Sequence, residues 1–181
     1  MNQAHIPCEI YINDVDESYG SHIPTEKVPA FLAELKANAS LPILKSNSDM
    51  IISADSVVIC DGQIIGKPKD KPDALDILSK LSGQWHKVIT GVCLLSLNKK
   101  VTFSESAEVL FYPLTPEEIE FYVDKFQPMD KAGAYGIQDW IGLCKVKEIK
   151  GNFSNIMGLP MSRLYHELKA FIGGSGTAEV Y

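Results

Sequence analysis

The segment MIISADSVVICDGQIIGKPKD, residues 50–70, carries an acid where a buried strand should have none. Strands are depleted in Asp, and a carboxylate in an apolar run pays desolvation unless a partner answers its charge. Asp55 and Ser56 interrupt the first apolar run, and the returning run finishes on Gly66-Lys67-Pro68. Asp61-Gly62 between them predicts a type I′ turn, which needs positive φ at both central residues. With Cys60 facing Gln63, Asp55 falls opposite Pro68 and one residue from Lys67. Gly66 and Pro68 predict an imperfect ladder there, since Pro donates no ladder hydrogen bond and Gly often marks a bulge. A carboxylate and an ammonium therefore meet at the open end of one hairpin. Such pairs mark functional clefts, and they also serve as plain structural ion pairs on edge strands.

Four further places carry usable groups. Glu17, in DVDES beside Asp14 and Asp16, ends a predicted strand. Carboxylates clustered at a strand end can hold Mg²⁺, which prefers oxygen ligands and keeps several waters, or they form a solvated acidic loop. Lys36 and Lys67 can hold phosphate oxygens as compact charges, and singly each also reads as a surface lysine. In DKAGAYGIQ, the run Ala132-Gly133-Ala134 and Gly136 let backbone approach a ligand closely, while Gln138 offers a donor and an acceptor. A tight packing corner explains the same glycines. His86, beside Trp85 at a strand start, reads as structural.

These groups need a scaffold, and the periodicity outlines one. Cys8, Ile10 and Ile12 alternate with Glu9, Tyr11 and Asn13, which predicts a half-buried strand. A helix follows with Val28, Leu32, Leu35 and Ala39 on one face, Pro29 in its first turn and Lys36 beside that face. A second helix runs over about 72–81, capped by Asp70 and ended by Ser82-Gly83. Strand-like runs 85–97 and 101–111 flank Asn98-Lys99-Lys100. The Thr115-Pro116-Glu117-Glu118 capping box starts a third helix, GLCKVKEI reads as a strand, and a last helix covers about 159–172. Strands interleaved with helices predict an α/β class, a mixed sheet with helices packed on its faces. One domain over 1–172 and a flexible tail over 173–181 complete the outline.

With 181 residues, 45% apolar, the chain can bury a sizeable core. A net charge of −6 provides no basic field, which disfavours a nucleic-acid polymer as partner. Cys8, Cys60, Cys93 and Cys144 lack any C-x-x-C spacing, so free thiols are expected rather than zinc ligands or a disulfide frame. No signal peptide is visible, and no apolar run reaches the ~20 residues a spanning helix needs, so the expectation is a cytoplasmic protein without a membrane partner.

Taken together, ADSVV…GQIIGKP, LSGQWHKVITGV, DKAGAYGIQ and NIMGLP occur in an order that resembles the Maf family of nucleoside triphosphate pyrophosphatases. The likeness runs from about residue 11 to 171, and DKAGAYGIQ is similar to the branch acting on dTTP and UTP. It implies a Maf-like fold, with a curved central sheet. It also implies metal-dependent hydrolysis, with Mg²⁺ or Mn²⁺, between the α- and β-phosphates of dTTP or UTP. By resemblance Asp55 is the proton acceptor for the attacking water and Glu17 an active-site or metal carboxylate. Lys36 and Lys67 bind phosphates, and Gln138 lies near substrate or metal. Ser56 stands after the aspartate where this branch usually has Thr, a substrate-side hydroxyl, and Asn152 replaces the usual Ser of GSY. The resemblance further implies a metal set of Glu17, Asp55 and Gln138.

Family members open with a strand and an ASxSPRR-like loop whose serine and arginines contact the triphosphate. Nothing like it occurs in this sequence, so about 20 residues of strand and helix are expected to be missing and the activity to be weakened. A non-catalytic nucleotide-binding relative linked to cell division, and an interaction module forming a homodimer, remain open as alternatives.

Overall fold

A computed structural model describes residue 1 and residues 4–173; the expected tail beyond them lies outside the described residues. The sheet contains β1 (Ile51–Cys60), β2 (Gln63–Ile65), β3 (Trp85–Leu95), β4 (Lys100–Phe111) and β5 (Val146–Lys150). Their order is β2-β1-β3-β4-β5. Among the described residues every pairing is antiparallel, where a mixed sheet was expected. Around it stand α1 (Val28–Ala39), α2 (Lys71–Leu81), α3 (Pro116–Phe126), α4 (Trp140–Lys145), α5 (Phe153–Ile156) and α6 (Met161–Gly173).

The hairpin forms in the expected register, Cys60 opposite Gln63, over Asp61 and Gly62 with φ of 50° and 75°. Its ladder is shorter than the turn alone predicts. β2 ends at Ile65, and the next carbonyl, Gly66, accepts the Gly133 N–H at 3.1 Å instead. Asp55 therefore has no partner on the returning strand; its neighbour across the ladder is Gly91 of β3. Among the described residues, positions 51–57 of β1 have an unpaired edge.

Helix starts follow local chemistry. Asp70 accepts the Asp73 N–H at 2.9 Å, Thr115 and Glu118 form the capping box, and Asn152 accepts the Ser154 N–H at 2.9 Å. Asn152 thus fills the capping role that a Ser would fill.

Among the described residues α1 is the one α-helix on one face of the sheet, where Val28 and Leu32 meet Val57 and Ile89, and Ala33 and Ala37 meet Ile51, Cys93 and Leu95. This face is rolled from the expected one: Ala39 is exposed, and Ala33 and Ala37 are buried in its stead. Small residues let the helix lie close, and Gly91 permits it. A Cβ at Gly91 would stand 2.3 Å from the backbone of Pro29 and Ala30. The opposite face carries the larger core, where α2 and α3 pack on Val58, Val88, Val109 and Phe111. There α6 adds Leu164 and Phe171 against Val92, Leu94 and Phe103.

Two further sequence expectations fail. Residues 8–12 form no strand, and Ile10 and Ile12 are 90% and 89% exposed. Alternation makes a strand only when a neighbour takes its backbone hydrogen bonds, and among the described residues none does. In GLCKVKEI the first residues are helical: α4 runs to Lys145 before β5 begins. Gly142 seats that helix, since a Cβ there would meet the Ile137 carbonyl oxygen at 1.8 Å.

Candidate active site

Adjacent residues of a strand point to opposite faces, so Asp55 and Ser56 look out on different surroundings. On the α1 face, Asp55 Oδ1 accepts a hydrogen bond from Lys36 Nζ at 2.5 Å. The same ammonium lies 2.8 Å from Glu17 Oε1. Two features aim Lys36: the Ser53 hydroxyl of β1 donates to the Ala33 carbonyl of α1 at 2.6 Å, and Ser40 Oγ donates to the Lys36 carbonyl at 3.0 Å. Glu17 arrives on an irregular segment, which Asn13 ties to Ser40 Oγ at 3.4 Å.

Burial divides the two acids. The Asp55 side chain is 12% exposed and that of Glu17 44%. Burial raises the Asp55 carboxyl above its ordinary value, and the Lys36 hydrogen bond pulls against that rise. Glu17 moves the other way, lowered chiefly by its hydrogen bond to Lys36. For Lys36 itself burial works against the ammonium, but the bonds to Asp55 and Glu17 outweigh it and the pKa rises. Lys67 is not in the ion pair; it adds a smaller attraction that lowers both acids.

On the other face a cleft of about 400 Å³ opens. Asp55, Ser56, Lys67, Lys131, Tyr135 and Gln138 line it, with Val58, Val88 and Ile156 as apolar wall. Ser56 Oγ is 2.8 Å from Thr90 Oγ1, and Thr90 donates in turn to the Asn155 carbonyl at 3.0 Å. Lys131 pairs with Asp130 at 2.8 Å. The Gln138 loop is held from below by Tyr122 of α3. Its hydroxyl donates to Asp139 Oδ2 at 2.8 Å and accepts the Gly136 N–H at 3.0 Å, on either side of Gln138. Gly133, at φ 70°, packs on β1, where a Cβ would meet Val58 Cγ2 at 2.9 Å.

The structure therefore joins Glu17, Lys36 and Asp55 directly, and sets Ser56, Lys67 and Gln138 with Asp55 around one cleft. Asp14 and Asp16 do not join them; Asp16 accepts the Ser18 N–H at 3.0 Å and shapes its own turn. His86 is structural, with Nε2 2.8 Å from the Tyr135 hydroxyl and burial lowering its pKa to about 4. Sequence reading gave no role to Gly91, Thr90, Tyr122, Lys131 or Asn155. Gly91 left a trace as a glycine inside a strand run, and Thr90, Lys131 and Asn155 stand inside the motifs LSGQWHKVITGV, DKAGAYGIQ and NIMGLP.

Glu17 and Asp55 converge on one cation, the Lys36 ammonium, and carboxylate oxygens are the donors that Mg²⁺ and Mn²⁺ prefer. Among the described residues no three His, Cys, Asp or Glu side chains form a cluster able to hold a metal. Two carboxylates suit a hard cation that takes its remaining ligands from water and substrate oxygens. Also among the described residues, no helix is long and apolar enough to cross a membrane.

The profile of Maf-like proteins matches residues 1–171 of the chain. A dTTP/UTP pyrophosphatase of Bacteroides thetaiotaomicron is 47% identical over 156 residues, covering 86% of this chain and 80% of the relative. One from Porphyromonas gingivalis is 45% identical over 159 residues, 87% of this chain and 80% of the relative. One from Christiangramia forsetii is 42% identical over 172 residues, 95% and 87% of the two chains.

Proposed function

The chain belongs to the family of Maf-like proteins, and from that premise we propose that it hydrolyses dTTP and UTP to the monophosphate and pyrophosphate. The observation that carries this reading is Asp55, a half-buried carboxylate raised by its desolvation, set in a cleft beside Lys67 and hydrogen-bonded to Lys36. A triphosphate needs cations spread along its oxygens and a fixed base that orients water in line. Water attacks the α-phosphorus, its proton passes to Asp55, and the α–β bridging bond breaks to release pyrophosphate. Lys67 and Lys36 meet phosphate oxygens, and Lys131 adds charge at the cleft rim. Ser56 faces the uncharged part of the ligand.

Glu17 and Asp55 would hold a divalent cation, with Gln138 at the same cleft as a further oxygen donor. When bound, such a cation neutralises phosphate charge and acidifies a coordinated water. Lys36, which bridges the two acids, then exchanges its carboxylate contacts for phosphate oxygens. A cytoplasmic location would suit these substrates.

Incubating the protein with UTP or dTTP and Mg²⁺ or Mn²⁺ tests the reading by product identity. Monophosphate and pyrophosphate are expected. Diphosphate and inorganic phosphate, or no product while nucleotide binds, would overturn it.

A further inference from the structure

Resting on that nucleotide reading, we propose that Thr90 is a positioning residue that fixes the Ser56 hydroxyl as an acceptor toward the cleft, selecting bases with an imide N–H. A hydroxyl has one hydrogen to donate and two lone pairs. Thr90 is wholly buried, and its hydrogen goes to the Asn155 carbonyl at 3.0 Å. Ser56 Oγ stands 2.8 Å from Thr90 Oγ1, so the hydrogen between them must come from Ser56. Ser56 then has only lone pairs to show a ligand.

The polarity is locked from behind. Asn155 is itself wholly buried; its Nδ2 donates to the Val88 carbonyl at 3.0 Å, and its own carbonyl also accepts the Gly158 N–H at 2.9 Å. Reversing Ser56 would break the buried Thr90–Asn155 hydrogen bond and leave that carbonyl to the Gly158 N–H alone, so the observed polarity carries one more buried bond than the reverse. The wall around Ser56 suits a flat ring. Val58, Val88 and Ile156 are apolar, and Tyr135 turns its hydroxyl away to His86. Uracil and thymine carry N3–H, a donor that an acceptor-only Ser56 can meet. Cytosine has a lone pair on N3, which would face the lone pairs of Ser56.

The test is binding of the non-hydrolysable α,β-methylene analogues of UTP and CTP, followed by calorimetry. The unmodified protein should prefer the uridine analogue by roughly tenfold or more, the size expected of one unmet buried hydrogen bond. Thr90→Val keeps shape but frees the Ser56 hydrogen, so the preference should collapse toward equality, partly by gain on the cytidine analogue. Thr90→Ser keeps the hydroxyl and should keep the preference. A folded Thr90→Val protein with undiminished preference overturns the proposal. Should that variant not fold, Ser56→Ala decides: preference lost supports it, preference retained overturns it. Parallel pyrophosphate assays separate the two readings. Pyrophosphate release from UTP without base preference sinks this inference alone, and base preference without release sinks the hydrolytic reading alone. Binding of neither analogue sinks both.

Discussion

Asp55 and Ser56 are neighbours on β1, yet each faces a different kind of site. Asp55 looks toward α1, where two acids share one lysine and all three pKa values are displaced. Ser56 looks toward Thr90 and Asn155, a neutral chain of hydrogen bonds within a cleft that Lys67 and Lys131 also line. The charged side is adjustable, because an ammonium can change carboxylate partners for phosphate oxygens. The neutral side is directional, because buried hydrogen bonds hold each donor in one sense. A substrate with a polyanionic end and a flat polar ring needs both kinds of surface, and an unpaired strand edge supplies them one residue apart.

The sharpest way to break the comparison is to neutralise Asp55, the proposed base. Asp55→Asn keeps the shape but accepts no proton, so turnover should fall by roughly 10²- to 10⁴-fold while nucleotide binding survives. Normal turnover with weakened binding would move Asp55 out of the proton-transfer role. Lys67→Ala should lower both affinity and rate, since a triphosphate meets that charge in the ground state and the transition state alike.

The two sides should also fail at opposite ends of the pH scale. Burial lowers His86 from 6.5 to about 4, so its contribution is complete above 6.5 and lost as pH falls through 4. That linkage amounts to about 3 kcal/mol. A melting temperature that declines over this range, and declines less in His86→Phe, is the expected result. Lys36 is raised, so its contribution is complete below 10.5 and lost only as pH climbs through its folded value. Melting at alkaline pH, with Lys36→Met for reference, reads that side.

Gly91→Ala probes the geometry that joins the faces. Its methyl group would stand 2.3 Å from the α1 backbone, so the helix must shift. Stability should drop by about 1–3 kcal/mol, the range for overpacking, and activity with it as Lys36 moves from Asp55. Smallest in effect are two opposed displacements of the acid limb of kcat/KM. Lys36→Met removes a bond and charge that hold Asp55 down, so the limb should move to higher pH. Glu17→Gln removes a charge that pushes Asp55 up, so the limb should move lower. Movement in the same direction in both variants would show that Asp55 does not govern that limb.

Much of this was legible beforehand, for local reasons. Asp61-Gly62 determines its turn, and Asp70 and Thr115 cap helices through bonds reaching three residues along the chain. The same reading misplaced residues 8–12, because alternation describes a side-chain pattern and says nothing of whether a partner strand exists. It rolled α1 by favouring Ala39 over Ala33 and Ala37, whereas Gly91 decides how closely the helix can approach the sheet.

The sequence by itself determined the turn, two helix caps and the hairpin register, and it named the residues proposed to bind phosphate or move a proton. The tertiary structure alone decided that Lys36 bridges Glu17 and Asp55, and that Thr90 passes its hydrogen to Asn155. Those contacts join residues 19 and 65 positions apart. Turn and cap preferences are set within a few residues of chain. Contacts at such separations exist only once α1 and α5 have packed on opposite faces of the sheet and burial has taken water away from the groups between them.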